Sequence, residues 1–367
     1  MRLQEIAVLS AGNGGQTMAA DLALAGFRVN LYELPQFSGN LKPLQAAGGL
    51  TLSGIGRQGF TRLNKITADA REAVETADLV MVASALPGHE AMVRAAAPHM
   101  HDGQVMVFNT GHWSALRFQH YFTELGIDVT LAETAILVYL CVISGPAQVR
   151  IDGIKATVQM AAFPGTRTPV AYDLLRQAYP TNFTPASSIL ETNTSNINLV
   201  FHPAIVLGNL ALIERTKGDF TFYREGVTPA VARLVDAVDR ERMAVARALG
   251  LGVIPTWLWL QRAYGAKGDN MYDALHSTPA YEPSRYTHVL KELKSSNFIN
   301  EDVPYGLVPL ISLAEMIGVP TPTMSAITQA LGVATERDHM VEGLTMDKLG
   351  IKGMNAEQIV HFFIEGK

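Results

Sequence analysis

Cysteine is nearly absent from this chain. The single Cys141 excludes an internal disulfide and suits a reducing compartment. Long apolar runs are missing too. The longest, residues 135–143, is too short to cross a bilayer, so no membrane partner is expected. Charge is sparse, at 17% of residues with a net charge of −5, and no basic cluster or like-charge block occurs. A nucleic-acid partner is therefore not expected. No basic segment with a cleavable apolar stretch precedes the first apolar run, which predicts no secretory leader. Low-complexity tracts and short-period repeats are also lacking. A soluble, cytoplasmic chain is the expectation that remains.

What is present is apolar material, 48% of 367 residues, enough for two domains with cores. The first half alternates. Buried-strand patterns at 6–10, 28–32, 79–84 and 105–109 are separated by helical patterns at 15–26, 69–76, 88–98 and 113–124. That order predicts a parallel sheet covered on both faces. Residues 148–163 read as late strands that close this sheet, in part antiparallel. A polar, turn-rich stretch around 180–196 marks a boundary, so a dinucleotide-binding domain over 1–185 and a second domain over 186–367 are expected. The second domain reads as helical at 193–215, 228–249, 255–264, 284–294, 305–317, 322–335 and 355–365. The fold class is thus α/β plus all-α.

Between the first strand and the first helix stands Ser10-Ala11-Gly12-Asn13-Gly14-Gly15. It follows the dinucleotide fingerprint G-x-G-x-x-G, with serine in the first glycine place. Gly12 lets the backbone approach a pyrophosphate, and Gly15 lets the helix pack closely on the strand. Asn13 and Gly14 complete the turn at a helix N-terminus that favours an anion. Glu33 ends the second strand 21 residues after Gly12. Its carboxylate can accept from both ribose hydroxyls and repels a 2′-phosphate, and no arginine follows it, so NAD is favoured over NADP. A glycine turn without a ligand is the alternative. Ala85 and the Asn109–Gly111 turn stand after later strands, where cofactors bind in such sheets, and ordinary turn chemistry is their alternative. His89 reads either as a group at that edge or as a solvent-exposed residue of a first helical turn.

The second half carries the acid–base candidates. Residues 194–214 read as one long apolar helix with Ser195, Asn198 and His202 on one face. Polar groups on such a face need partners or a ligand, which makes Ser195 and Asn198 candidate substrate contacts. Pro203 predicts a kink beside the histidine. A core histidine satisfied by packing is the alternative reading of His202. A catalytic histidine needs an orienting group, and Asp302, just before a turn into an apolar helix, is the candidate. Its alternatives are an N-cap, and Glu301 as the competing acid.

Over nearly its full length the chain resembles the opine dehydrogenases. These form the octopine/nopaline dehydrogenase family, here in its bacterial N-(1-carboxyethyl)-norvaline dehydrogenase branch. The resemblance is carried by the glycine turn at 12–15, Glu33, Glu133-Thr134, TSxxNxxxHP at 194–203, YxEGxTP at 223–229, EDVxxGLVPL at 301–310 and GVPTP at 318–322. It implies a Rossmann-type domain followed by a helical domain of the 6-phosphogluconate dehydrogenase kind. It also implies reductive condensation of an amino acid or other amine with a 2-oxo acid. His202 is then the acid/base, Asp302 its partner, and Glu133 a residue near the cofactor. Small-molecule substrates and a homodimer are expected, and no metal.

The chain departs from the family pattern at Val142 and Asn297, where arginines are expected. Arg285, Lys291 and Lys294 are the possible replacements as carboxylate clamps. At 238–242 the chain reads Val-Asp-Arg-Glu-Arg against the family's VDxER. Two other readings stand beside this one. A 2-hydroxy acid or ketopantoate-type dehydrogenase relies on a lysine near the start of its helical domain, and residues 191–213 contain none. A non-catalytic NAD-binding sensor would have no use for the histidine–aspartate pair.

Overall fold

The computed structural model describes residues 2–282 and 287–367. Two compact units result, one from Met1–Thr192 with Ile364–Gly366, the other from Asn193–Phe363 with Lys367. The chain thus changes unit at Thr192, a few residues beyond the expected 185.

The first unit carries strands β1 (Glu5–Leu9), β2 (Arg28–Tyr32), β3 (Gly49–Gly54), β4 (Gly59–Arg62), β5 (Lys65–Thr67) and β6 (Leu79–Val82). It continues with β7 (Val105–Asn109), β8 (Thr130–Thr134), β9 (Tyr139–Gly145), β10 (Gln148–Ile154), β11 (Val158–Phe163) and β12 (Phe183–Pro185). Its main sheet runs β12-β11-β8-β7-β6-β1-β2-β5. The pairs from β5 through β8 are parallel, and β11 joins β8 antiparallel. β1, β6, β7 and β8 are buried along their whole length, as the strands of a parallel sheet covered on both faces are.

The sequence reading of 148–163 needs correcting. Only β11 closes the main sheet. β10 instead pairs with β3 and β9 in a second sheet, ordered β4-β3-β10-β9. This sheet packs on the helix α1 (Asn13–Leu24). It was illegible because β3 and β4 are short and glycine-bounded, and β9 is half exposed, so none shows a clean apolar period. Its contact with α1 is polar as well as apolar. Asp21 of α1 accepts from Tyr139 Oη at 2.6 Å and pairs with Arg57 at 2.9 Å.

The second unit is helical, but the expected helix over 193–215 is three pieces: Ile189–Thr194, Asn198–Gly208 and Leu210–Thr216. The chain turns by 74° at Asn209, whose Nδ2 donates to Ile205 O and Gly226 O at 2.8 Å each. The sharp break thus lies at Asn209, and Pro203 is held within the helix Asn198–Gly208. Among the described residues no single helix is long and apolar enough to cross a membrane. The expected helix at 284–294 lies partly outside the described residues. Its described part forms only the short turns Thr287–Leu290 and Leu293–Ser295.

The VDxER stretch has a structural role. Arg242, 1% exposed, pairs with Asp239 at 2.6 Å and donates to Thr194 O at 2.9 Å and Ile254 O at 2.7 Å. Asp239 also accepts from Thr256 N–H at 2.9 Å. Each buried charge is therefore hydrogen-bonded, as burial requires. Glu241 accepts from Thr323 and Met324 N–H at 2.7 and 2.9 Å, capping the helix Pro322–Thr335 that follows GVPTP. The interior acid and base tie three segments of this unit together, and Glu241 adds a fourth.

Candidate active site

In the first unit the glycine turn has the local form that the fingerprint requires. Ser10 has φ 98°, the left-handed region that favours glycine. Its Oγ accepts from Gly12 N–H at 3.3 Å, a local bond that offsets part of the strain. Gly12 is the extended N-cap of α1, and no side chain caps the helix. Among the described residues, no group accepts from Asn13, Gly14 or Gly15 N–H. A Cβ at Gly12 would meet only Ser10 Oγ, at 3.5 Å, while one at Gly15 would stand 1.8 Å from Ser10 O. Gly12 therefore leaves a backbone face open and Gly15 permits close helix–strand packing. These free donors on an uncapped helix end suit an anion such as a pyrophosphate.

Glu33 is 4% exposed beside this turn. Its Oε2 accepts from Ala11 N–H and its Oε1 from Leu34 N–H, both at 2.9 Å. Those bonds aim the carboxylate and leave each oxygen a further lone pair for a ribose hydroxyl. Replacing Glu33 by serine should weaken NADH binding tenfold or more, since a hydrogen bond to a charged group contributes about 1.5–3 kcal/mol. The same change should improve NADPH binding. Fluorescence titration with both cofactors reads the result, and a wild-type preference for NADPH would contradict this role.

The other first-unit residues divide. Ala85 is exposed in the turn after β6. Asn13 is exposed, but its Oδ1 accepts from Ile143 N–H at 2.9 Å, so the side chain is committed to β9. Asn109 is buried and donates to Val82 O at 3.0 Å, tying β6 to β7, while its Oδ1 is buried without a partner. Glu133 is 1% exposed and accepts from Ala115 N–H at 3.3 Å and Thr192 Oγ1 at 3.4 Å. It packs over Gly111, where a Cβ would lie 2.1 Å from its own Cβ. Thr110, His112 and Trp113 in this turn all have positive φ. The solvent-exposed reading of His89 is wrong. The ring is 1% exposed, with Nδ1 at 2.8 Å from Ser114 Oγ. Burial first, then the charges of Arg117 and His112, push its pKa down to about 3, so it stays neutral at neutral pH.

In the second unit, the helix Asn198–Gly208 presents His202 to Asp302, 100 residues away in sequence, at 2.7 Å between Nδ1 and Oδ2. Both are buried, at 8% and 4% exposed. A carboxylate only accepts, so Nδ1 carries the proton and Nε2 of the neutral ring offers a lone pair. Tyr223 Oη donates to that Nε2 at 3.1 Å. Phe298 stacks on the imidazole at 3.8 Å between centroids, and Tyr281 stacks on Tyr223 at 4.0 Å. The N-cap alternative for Asp302 falls, because its side chain caps nothing. Its backbone instead begins a wide turn in which Leu307 N–H donates to Asp302 O, five residues back.

The polar stripe is less regular than its spacing implied. Ser195 lies in the break before the helix, half-buried, with its Oγ buried and unpartnered. Asn198 is the first residue of the helix, half-buried, and its N–H donates to Asn196 Oδ1 at 2.9 Å. The three residues do not share one continuous helix, because the chain breaks at 195–197. Tyr223 was missed as a partner of the histidine. Its only sequence signal was the YxEGxTP stretch, which contains no spacing that points to position 202.

Of the candidate clamps, Arg285 lies outside the described residues, Lys291 is exposed, and Lys294 pairs with Glu336. Val142 is half-buried and Asn297 exposed. Among the described residues no cluster of His, Cys, Asp and Glu suits a metal ion.

Residues 185–335 match the alpha-helical domain of the NAD/NADP octopine/nopaline dehydrogenases. An opine dehydrogenase from Arthrobacter sp. strain 1C is 32% identical over 96% of this chain and 97% of its own length. The protein ocs of Agrobacterium tumefaciens is 25% identical over 98% of each chain. Among solved structures, an octopine dehydrogenase with NADH and L-arginine superposes with a TM-score of 0.76 over 99% of this chain and 98% of its own, at 19% identity. The two-unit fold, the uncapped glycine turn and a full-length relative at 32% identity agree: this chain belongs to the opine dehydrogenase family.

Proposed function

We propose that this protein reductively joins an amine, such as an amino acid, to a 2-oxo acid, using NADH. The observation that carries the reading is the buried His202–Asp302 pair, 2.7 Å apart, with Tyr223 on the other ring nitrogen. Condensation of amine and oxo acid expels water and leaves an imine. The dinucleotide, when bound, supplies the hydride that reduces the imine carbon. Gly12, Gly14 and Gly15 hold the pyrophosphate through their backbone, and Glu33 holds the adenosine ribose, with Ala85, Asn13, Asn109 and Glu133 bordering the cofactor. Asp302 keeps Nδ1 protonated and stabilises the cationic ring, so that Nε2 can take up and return a proton as the new amine forms. Ser195 and Asn198 are the substrate contacts in this reading, and the unpartnered Ser195 Oγ supports the first of them.

NADH oxidation by the purified protein across a grid of amines and 2-oxo acids tests the reading. Turnover that needs both partners is expected. Turnover with a 2-oxo acid alone would instead make this a hydroxy-acid dehydrogenase. Tyr223→Phe should lower kcat about tenfold, leave KM for the amine nearly unchanged, and shift the pH–rate profile, because the phenol is bonded to Nε2. An unaltered profile would leave Tyr223 a packing residue. The single cysteine supports a cytoplasmic location. A homodimer belongs to the same reading, and sedimentation tests it.

A further inference from the structure

The C-terminal half of the second unit holds a cavity of about 610 Å³ that the reaction leaves unused. It is bordered by the helices Val308–Met316 and Pro322–Thr335 and the turn after them, with Ile311, Glu315, Thr328, Val333, Asp338 and His339 in its lining. His339 is 1% exposed. Its tautomer follows from its neighbour. Thr335 Oγ1 gives its one proton to Leu331 O at 2.7 Å, so its contact with His339 Nε2 at 3.3 Å has the ring nitrogen donating. Nδ1 of the neutral ring is then a bare acceptor, and it is buried with no partner. Burial and then the Arg337 charge hold this imidazole below its usual pKa, against the pull of Glu342 and Asp338. Thr328 Oγ1, on a residue 2% exposed, is a second buried polar atom with no partner in the same lining.

Native interiors rarely leave such groups unpaired, and two in one cavity point to a ligand that pairs them. The charge around them selects its sign. Arg337 is held by Glu342, Glu336 is shared with Lys294, and Asp338 Oδ1 accepts from Val341 N–H at 3.0 Å. Glu315 is exposed, and among the described residues it has no ionic partner. The unspent charge is therefore negative, beside the apolar surfaces of Ile311 and Val333.

We propose that this cavity binds a small primary alkylammonium ion, its three N–H groups donating to His339 Nδ1, Thr328 Oγ1 and Glu315 and its stem lying on the apolar wall. Such a site is separate from the His202 centre and belongs to no step of the reaction.

Calorimetric titration of the full-length protein with n-butylammonium chloride at pH 7 tests this, with His202→Ala protein titrated in parallel. Saturable binding is expected in both. Glu315→Gln and Thr328→Val should each weaken it at least tenfold while leaving NADH oxidation unchanged, and uncharged n-butanol should not compete. Glu315 is exposed, so Glu315→Gln keeps the test alive if Thr328→Val folds poorly. Absence of saturable binding, or binding as tight as wild type in Glu315→Gln protein, overturns the proposal.

Discussion

Alanine at His202 should lower kcat by about 10²–10⁴-fold, the usual contribution of a positioned acid–base group. Asp302→Ala should fall in the same range, because it removes the carboxylate bonded to the imidazole and leaves the buried ring without its orienting acceptor. The double variant should be little worse than either single one, since two residues that act as a unit do not contribute additively. NADH affinity should stay close to wild type in all three. The glycine turn and Glu33 belong to the first unit, and neither His202 nor Asp302 does. Steady-state kinetics with a fluorescence titration of NADH separates the two effects. Fully additive losses, or a near-normal rate in either single variant, would remove the pair from the chemistry and turn attention to Glu133.

Two glycines of one turn should fail in opposite ways. Gly15→Ala places a methyl 1.8 Å from Ser10 O, which is backbone and cannot swing aside. Overpacking of this kind costs about 1–3 kcal/mol, occasionally more, so a clear drop in Tm is expected. Gly12→Ala meets nothing closer than Ser10 Oγ at 3.5 Å and should melt like wild type. Its methyl nevertheless stands on the open backbone face, so the Kd for NADH should rise tenfold or more. Thermal melts and cofactor titration of both variants decide the matter. Unchanged NADH binding by Gly12→Ala would mean that this glycine serves only the turn.

The reach of the sequence differed between the two halves. The parallel strands β1, β2, β6 and β7 were legible from their apolar runs, whereas β5, three half-buried residues, and β8, which carries Thr130, Glu133 and Thr134, were not. The second sheet was not: β3–β4 and β9–β10 are local hairpins without a clean apolar period, and only the β3–β10 pairing, which sets Thr51 beside Gln148, joins them into one sheet. A single helix at 193–215 fits the composition, yet the chain breaks at 195–197, where Asn196 Oδ1 accepts from Asn198 N–H, and turns by 74° at Asn209, whose side chain donates to Gly226 O. Propensity is local, and the Asn209–Gly226 bond is not. The same contrast holds for His89, whose place in the chain fitted an exposed turn and whose packing buries it.

The sequence by itself determined the dinucleotide turn, the acid at Glu33, the helical second half and the identities of His202 and Asp302. Each is a matter of which residue types stand at which short spacing. Only the tertiary structure decided that His202 meets Asp302, that Tyr223 takes the other nitrogen, and that Asp239 and Arg242 are an interior tie. The physical reason is one of distance. A contact across 100 residues is made when packing closes the loop between them, and no local propensity or period records where that loop will close.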